Sequence, residues 1–306
     1  MSTTAAPERA PGTRDRGART PASAAASIVS QTLALLCIVL LLWVFNLVVL
    51  SQVQQYFAQN GLYGHLRLTL AQGATPVGPL TKQGNLVPDG TPIAVMSAPA
   101  VGLSRAVIVQ GSGGAQTMVG VGHVPDTVFP CQSGTAALMA RDGTYGGYAL
   151  GAKWVKLAAG DEFTVTMGQG SCTYRVTDLR LPGQPAPLPP TGDGGSIVLI
   201  TAEGSPFLPT GVLRVDATLV SKAYAPPAAT IPVTAVPAAE NPMGIDTSHL
   251  FEVVLLLQLL LAAAIGTAWA WHRWGRKETW VIAAPILVTL ALLVADNLNL
   301  LLPNLL

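Results

Sequence analysis

The sequence predicts an all-β domain, a closed barrel or sandwich, held at a membrane by three α-helices. Three observations carry this. Apolar runs at 28–50, 250–271 and 280–302 are each about the length of a bilayer-spanning helix. Between the first two lie short β-favouring runs, including Ile93-Ala-Val-Met96, Ala106-Val-Ile-Val109, Phe163-Thr-Val-Thr-Met167, Thr173-Tyr-Arg-Val-Thr177 and Ile197-Val-Leu-Ile-Thr201, separated by Gly, Pro, Asp and Ser. No strand–helix alternation suggests βαβ units, so many short strands at this spacing point to a closed all-β form. The chain is 50% apolar and only 11% charged, with a net charge of +1, which fits a membrane protein with one modest soluble domain and excludes nucleic-acid binding.

Residues 1–27, rich in Ala, Pro, Thr and Arg, bury too little surface to offset chain entropy and are expected to form a disordered cytoplasmic tail. Arg9, Arg14, Arg16 and Arg19 precede the first span, 28–50, and place the N-terminus inside. A cleaved leader is the rival reading, but the run is long for one and no small-x-small site follows it. Residues 51–89 form a stalk, helical over 52–71 with loosely spaced apolar positions, then a turn-rich linker. The β domain occupies 90–222, and 223–249, rich in Ala and Pro, is a semi-stiff tether. The second span, 250–271, and the third, 280–302, flank a short basic loop, 272–279, that belongs in the cytoplasm. Trp269, Trp271, Trp274 and Trp280 bracket that loop as an interfacial belt. These signals put the β domain outside the cell. Asp296 is the one acid in the last span, and its neighbours Asn297 and Asn299 favour an interfacial place over a proton relay.

One stretch organises the domain: Ser196-Ile-Val-Leu-Ile-Thr-Ala-Glu-Gly-Ser205, a loop, then Gly211-Val-Leu-Arg-Val-Asp-Ala217. It resembles the end of a sortase domain, where a Leu-Thr-x-Thr-Cys strand precedes a loop and an arginine-bearing strand. Gly120-Val-Gly-His-Val-Pro-Asp-Thr-Val-Phe-Pro-Cys-Gln-Ser-Gly134 is similar to the family's Gly-Pro-Gly-His … Thr … Pro-Gly-Gln-x-Gly block. Thr135-Ala-Ala-Leu-Met-Ala-Arg-Asp-Gly-Thr-Tyr-Gly-Gly147 falls where the family has Ile-Ala-Gly-His-Arg-x-x-Tyr-Gly. Gly160-Asp-Glu162 and Ser171-Cys-Thr-Tyr-Arg-Val176 resemble the following Gly-Asp turn and Tyr-x-Val strand. The four motifs stand in the family's order and spacing, and the nearest likeness is to sortase-like proteins of Gram-positive actinobacteria. The resemblance implies an eight-stranded barrel plus the three membrane helices. It also implies a thiolate that attacks a Leu-Pro-x-Thr-Gly-like sorting signal, an imidazole that moves protons, and an arginine that stabilises the oxyanion.

Carried onto this chain, the nucleophile's position holds Ala202 and the histidine's holds Arg141, while Arg214 matches the arginine. A methyl group cannot attack a carbonyl, and arginine stays protonated and cannot act as a base. The expectation is a degenerate site with no intact catalytic residue. Thr201 and Ser205 flank it, but a hydroxyl nucleophile needs a neighbouring base. His123 matches a non-catalytic family position and reads as a structural histidine; His65 and His249 lie away from the site. Cys131 and Cys172 are expected to form a disulfide in an oxidising compartment, with two free thiols, one a displaced nucleophile, as the alternative. Cys37 reads as packing within the first span, and Gly111-Ser-Gly-Gly114 as a hairpin turn. No metal-ligand spacing or phosphate loop appears, so no cofactor is expected.

Arg141 and Arg214 could face one cleft and favour an anionic ligand, or pair with Asp142, Glu203 or Asp216 as a structural network. Three functional readings follow. The domain is a non-catalytic binding or scaffold module for a sorting-signal-like peptide or cell-surface protein; or an enzyme using Cys131 or Ser205; or a rigid spacer serving the membrane helices.

Overall fold

A computed structural model of the chain describes residues 24–143, 150–205, 208–227 and 231–306. Nearly all of the expected disordered tail and the Tyr145-Gly motif lie outside the described residues. Helix α1 (Ala24–Phe45) runs through a π-helical turn, Asn46–Leu50, straight into α2 (Ser51–Ala71). No proline interrupts this stretch, so span and stalk form one helix. The stalk is not free. Leu66, fully buried, packs on Val107 and Val109 of the β domain. Gln59 accepts the Val107 N–H at 2.9 Å and donates to the Val119 carbonyl at 2.6 Å, pairing two main-chain groups of the barrel.

The β domain is a closed barrel of eight strands: β1 (Pro92–Ala98), β2 (Leu103–Gln110), β3 (Val121–His123), β4 (Gly134–Met139), β5 (Glu162–Met167), β6 (Gly170–Arg180), β7 (Gly195–Ser205) and β8 (Leu208–Leu219). Their order around the barrel is β1-β2-β3-β4-β7-β8-β6-β5, with β2/β3 and β4/β7 parallel and the other pairs antiparallel. Closure leaves no sheet edge unpaired. The interior is apolar: Ala136, Leu138, Ile197, Leu199 and Val215 point inward with Phe163 and Tyr174, whose rings stack at 5.4 Å.

The parallel β2/β3 pair corrects the expected absence of strand–helix alternation. Parallel neighbours need a crossover, and the short helix α3 (Gly114–Val119) supplies it. Gly111–Gly114 is therefore no hairpin turn; it leads β2 into α3. A second short helix, α4 (Leu150–Trp154), packs against β7 and buries Trp154 completely. Gly151 of α4 sits on Thr201 Oγ1 and the Arg141 carbonyl, so a Cβ there would collide with both.

Cys131 and Cys172 are joined by a disulfide with Cα atoms 5.6 Å apart. Cys131 adopts φ +70°, where the family motif it resembles has glycine; its N–H donates to the buried Tyr174 hydroxyl at 2.7 Å. The disulfide removes Cys131 from the list of nucleophiles.

Helices α5 (Leu250–Arg273) and α6 (Arg276–Leu300) form a hairpin through Leu260, Ala264, Ala283, Leu287 and Val294, with Leu35, Leu36 and Val39 of α1 against it. With α1–α2, these are three helices long and apolar enough to cross a membrane. Trp269 pairs edge-on with Trp274, and Trp271 with Trp280. Cys37 is exposed on α1, not packed among helices, because its neighbours on the inner stripe make the contacts. Asp296 lies at the barrel end of α6, 3.5 Å from the Gln54 amide. Nearby, Asn299 accepts Trp43 Nε1 at 3.4 Å and donates to Asn46 at 3.5 Å, linking α1 to α6.

The 223–249 segment is more than a tether. It carries two 3₁₀ turns, Val233–Ala235 and Ala238–Glu240, and buries Glu240 against the barrel. Glu240 accepts the Ser112 backbone N–H at 3.1 Å, and its own carbonyl accepts the Ser112 hydroxyl at 2.8 Å. Composition gave no sign of this, since a single acid in a Pro/Ala run looks like a solvated one.

Candidate functional site

Strands β4, β7 and β8 lie side by side, and their alternation divides residues between barrel interior and outer face. Ala137, Met139, Ile200 and Ala202 face outward and form a second apolar cluster, separate from the barrel core, with Val198 and Val212 against it. Parallel pairing sets Met139 beside Ile200, so the chain leaving β4 carries Arg141 towards the same end as Ala202. Antiparallel pairing sets Val212 beside Ala202 and Arg214 beside Ile200. The backbone thus brings positions 141, 202 and 214 onto three neighbouring strands, on one side of the sheet.

The side chains do not share one anionic cleft. Arg141 is 3% exposed and turns towards α3: Nη2 donates to the Gly114 carbonyl at 2.9 Å and Nε to Thr117 Oγ1 at 3.3 Å. Its Nη1 donates to the Leu306 carbonyl at 3.2 Å. Arg214 is half-buried beside Arg180, and burial first, then Arg180, hold its pKa below the usual arginine range against the opposing pull of Asp216. Asp216 is engaged elsewhere, in a bidentate pair with Arg180 at 2.9 and 3.0 Å. Of the acids offered as partners for the two arginines, Asp216 is thus paired with Arg180, which sits opposite Arg214 on β6. Ala202 also lines a cavity of about 500 Å³ with Asp142, Lys156, Leu181, Glu203 and Leu213, and neither guanidinium lines it. Burial raises the pKa of Asp142 there.

The residues that sequence reasoning missed follow α6. Pro303 cannot continue the helix, and the chain turns back onto the barrel. Leu305 is fully buried in the cluster of Ala137, Met139, Ile200 and Ala202. Its carbonyl accepts the Asp142 N–H at 3.0 Å. Asn304, also fully buried, donates from its side-chain amide to the carbonyls of Ser112 and Asn241, both at 2.9 Å, and Ala239 at 3.2 Å; its N–H donates to the Gly244 carbonyl at 3.0 Å. A Cβ on Gly114 would stand 3.2 Å from the Leu300 carbonyl, so glycine there permits the close approach. The Pro303 stop was readable in the sequence; its docking partners, more than a hundred and fifty residues away in part, were not.

The remaining candidates lie apart. His123 is fully buried, with ring nitrogens 3.1 Å from the Gln110 amide oxygen and 3.0 Å from the Val128 carbonyl, and burial pushes its pKa down to about 4. That is the setting of a neutral structural imidazole. His65 is exposed on α2, and His249 lies 3.6 Å from Glu252 at the start of α5. Thr201 is buried and Ser205 is exposed at the end of β7. Among the described residues no cluster of His, Cys, Asp or Glu could hold a metal ion.

Solved structures similar to this chain are sortases. A Clostridium perfringens sortase D5 transpeptidase matches 54% of this chain and 99% of its own, at 17% identity and a TM-score of 0.44. A lid mutant of sortase A from Corynebacterium diphtheriae matches 53% of this chain and 94% of its own, at 17% identity and 0.40. Sortase C1 from Streptococcus agalactiae matches 47% and 78%, at 22% identity and 0.39. No protein-family model and no curated protein matches the chain.

Proposed function

We propose that this chain is a membrane-anchored, sortase-like protein that has lost transpeptidase chemistry and uses its barrel to bind an extended peptide at the cell surface. One observation carries the reading: the strand ends of β4 and β7 meet at Arg141 and Ala202, a fixed cation and a methyl group, where acyl transfer needs a base and a nucleophile. The rival enzyme reading loses support at both of its candidates. Cys131 is held in a disulfide. Ser205 is exposed at the end of β7 and does not line the neighbouring cavity, whose described lining carries no imidazole. The spacer reading is disfavoured because the barrel face is built around buried polar contacts, with Asn304 donating to the carbonyls of Ser112, Ala239, Asn241 and Gly244, which a spacer does not need. An extracellular barrel rests on the basic residues at 9–19 and 273–277 and suits a disulfide-bonded domain.

The test is incubation of the full chain, reconstituted in nanodiscs, with a Leu-Pro-x-Thr-Gly peptide and an amine acceptor. The expected outcome is neither cleavage nor a covalent acyl adduct. Turnover above that of empty nanodiscs would overturn the assignment.

A further inference from the structure

The outer face of the barrel already holds a peptide. Residues 302–306, Leu-Pro-Asn-Leu-Leu, meet it with three kinds of contact at once. The first is a polar reader: the Asn304 amide is surrounded by the carbonyls of Ser112, Ala239 and Asn241, so this position accepts a donor and nothing apolar. The second is an apolar pocket filled by Leu305, whose floor is Ala137, Met139, Ile200 and Ala202. The third is capture of the main chain: Asp142 N–H binds the Leu305 carbonyl, Arg141 Nη1 the Leu306 carbonyl, and the Gly244 carbonyl the Asn304 N–H. The segment is held as a turn, closed by the Leu306 N–H on the Pro303 carbonyl at 3.1 Å, and main-chain hydrogen bonds combined with side-chain pockets that choose its sequence are the components of peptide recognition.

Two features separate this arrangement from ordinary core packing. The barrel interior is a complete cluster that does not include Leu305, so the barrel has its core without the segment. The pocket is also open to Leu305 because residue 202 is alanine: a larger side chain on that face would occupy space the leucine now fills. Arg141 acts likewise. Its guanidinium is spent on the Gly114 carbonyl, Thr117 and the Leu306 carbonyl, so it joins the α3 wall of the groove to the bound segment. The two catalytic positions that depart from the sortase motif thus both meet this segment, Ala202 in its apolar cluster and Arg141 on its main chain.

We infer that the groove formed by Ser112, Asn241, Arg141 and the Ala202 face is a binding site for a peptide carrying asparagine followed by a large aliphatic residue, and that residues 302–306 occupy it in cis as a tethered competitor. This deepens the peptide-binding reading above and rests on it. The segment follows α6 directly, so its hold on the barrel is set by where the membrane hairpin sits. A tethered ligand acts at an effective concentration of about 1 mM, so it keeps free peptides of micromolar affinity out until it is released.

The experiment uses the full chain in nanodiscs and a fluorescein-labelled Leu-Pro-Asn-Leu-Leu peptide, with Leu-Pro-Ala-Ala-Leu as control. The variant is Asn304→Ala with Leu305→Ala, which empties the groove and leaves its walls intact. Anisotropy should show the variant binding the labelled peptide at least about tenfold more tightly than the native chain, and the control peptide not at all. Hydrogen exchange at the Asp142 amide, whose acceptor is the Leu305 carbonyl, reports docking separately. It should be slow in the native chain and at least about tenfold faster in the variant. Fast exchange in the native chain would overturn the docked segment while leaving the peptide-binding reading to the anisotropy result. Slow native exchange with no peptide binding in the variant would also overturn the inference, and would reduce the groove to a structural clasp. Equal binding by native chain and variant would overturn the inference, because the segment would then not compete for the site.

Discussion

Removing the disulfide by Cys131→Ala with Cys172→Ala should weaken the barrel sharply. The bridge closes a loop of 41 residues, for which chain-entropy reasoning gives about 4 kcal/mol. It ties the β3–β4 connection to β6, which is not a strand-pairing partner of β3 or β4, so no strand pairing substitutes for it. Cys131 also sits at φ +70° and its N–H serves Tyr174; alanine keeps both demands without the covalent hold. With a urea m-value of about 2 kcal/mol/M for a domain of this size, the midpoint should fall by about 2 M. Pulse proteolysis of the full chain in detergent across a urea series measures it, reading loss of the barrel fragment. The thiol count is an independent check: unreduced, denatured chain should offer Cys37 alone to an alkylating reagent, and all three cysteines after reduction. A midpoint shift below about 0.5 M would refute the entropic argument at that m-value, and three reactive thiols before reduction would refute the bridge.

Burial lowers the pKa of His123 from 6.5 to about 4, so its contribution to stability is complete above pH 6.5 and is lost as the pH falls towards 4, where the unfolded chain takes up a proton that the folded one refuses. The loss should approach about 3 kcal/mol, and His123→Gln should flatten the acid limb of the urea midpoint between those values; an unchanged limb would mean another group governs it. Asp216→Ala leaves the buried Arg180 facing Arg214 without its acid, and should cost about 3 kcal/mol or more. The paired change Arg180→Met with Asp216→Leu should recover most of that, and a cost for the single variant below about 1 kcal/mol would show the pair to be solvated rather than buried. Protease added to intact cells should cut within residues 73–249 and spare the loop at Arg273–Lys277; cleavage of that loop from outside would invert the topology.

The sequence determined the local and compositional features. Apolar runs of bilayer length announce helices because lipid offers no other partner to backbone N–H and C=O groups, and alternating short runs announce strands with one buried face. Motif order was also readable there: it set Arg141, Ala202 and Arg214 apart, and strand pairing places them on the neighbouring strands β4, β7 and β8. What the tertiary structure alone decided is where each side chain goes and what fills the groove. In the sequence Arg141 read either as half of an anion site with Arg214 or as paired with a nearby acid, but its guanidinium turns to the carbonyls of Gly114 and Leu306. Glu240 and Asn304 carry no periodic signal, since one polar residue in a Pro/Ala run or beyond a helix end looks solvated until the fold supplies its partners. Contacts between Leu305 and strands formed far earlier in the chain depend on the path of the apolar α5–α6 hairpin, and a pattern read along the sequence has no access to that path because it records neighbours in order, not in space.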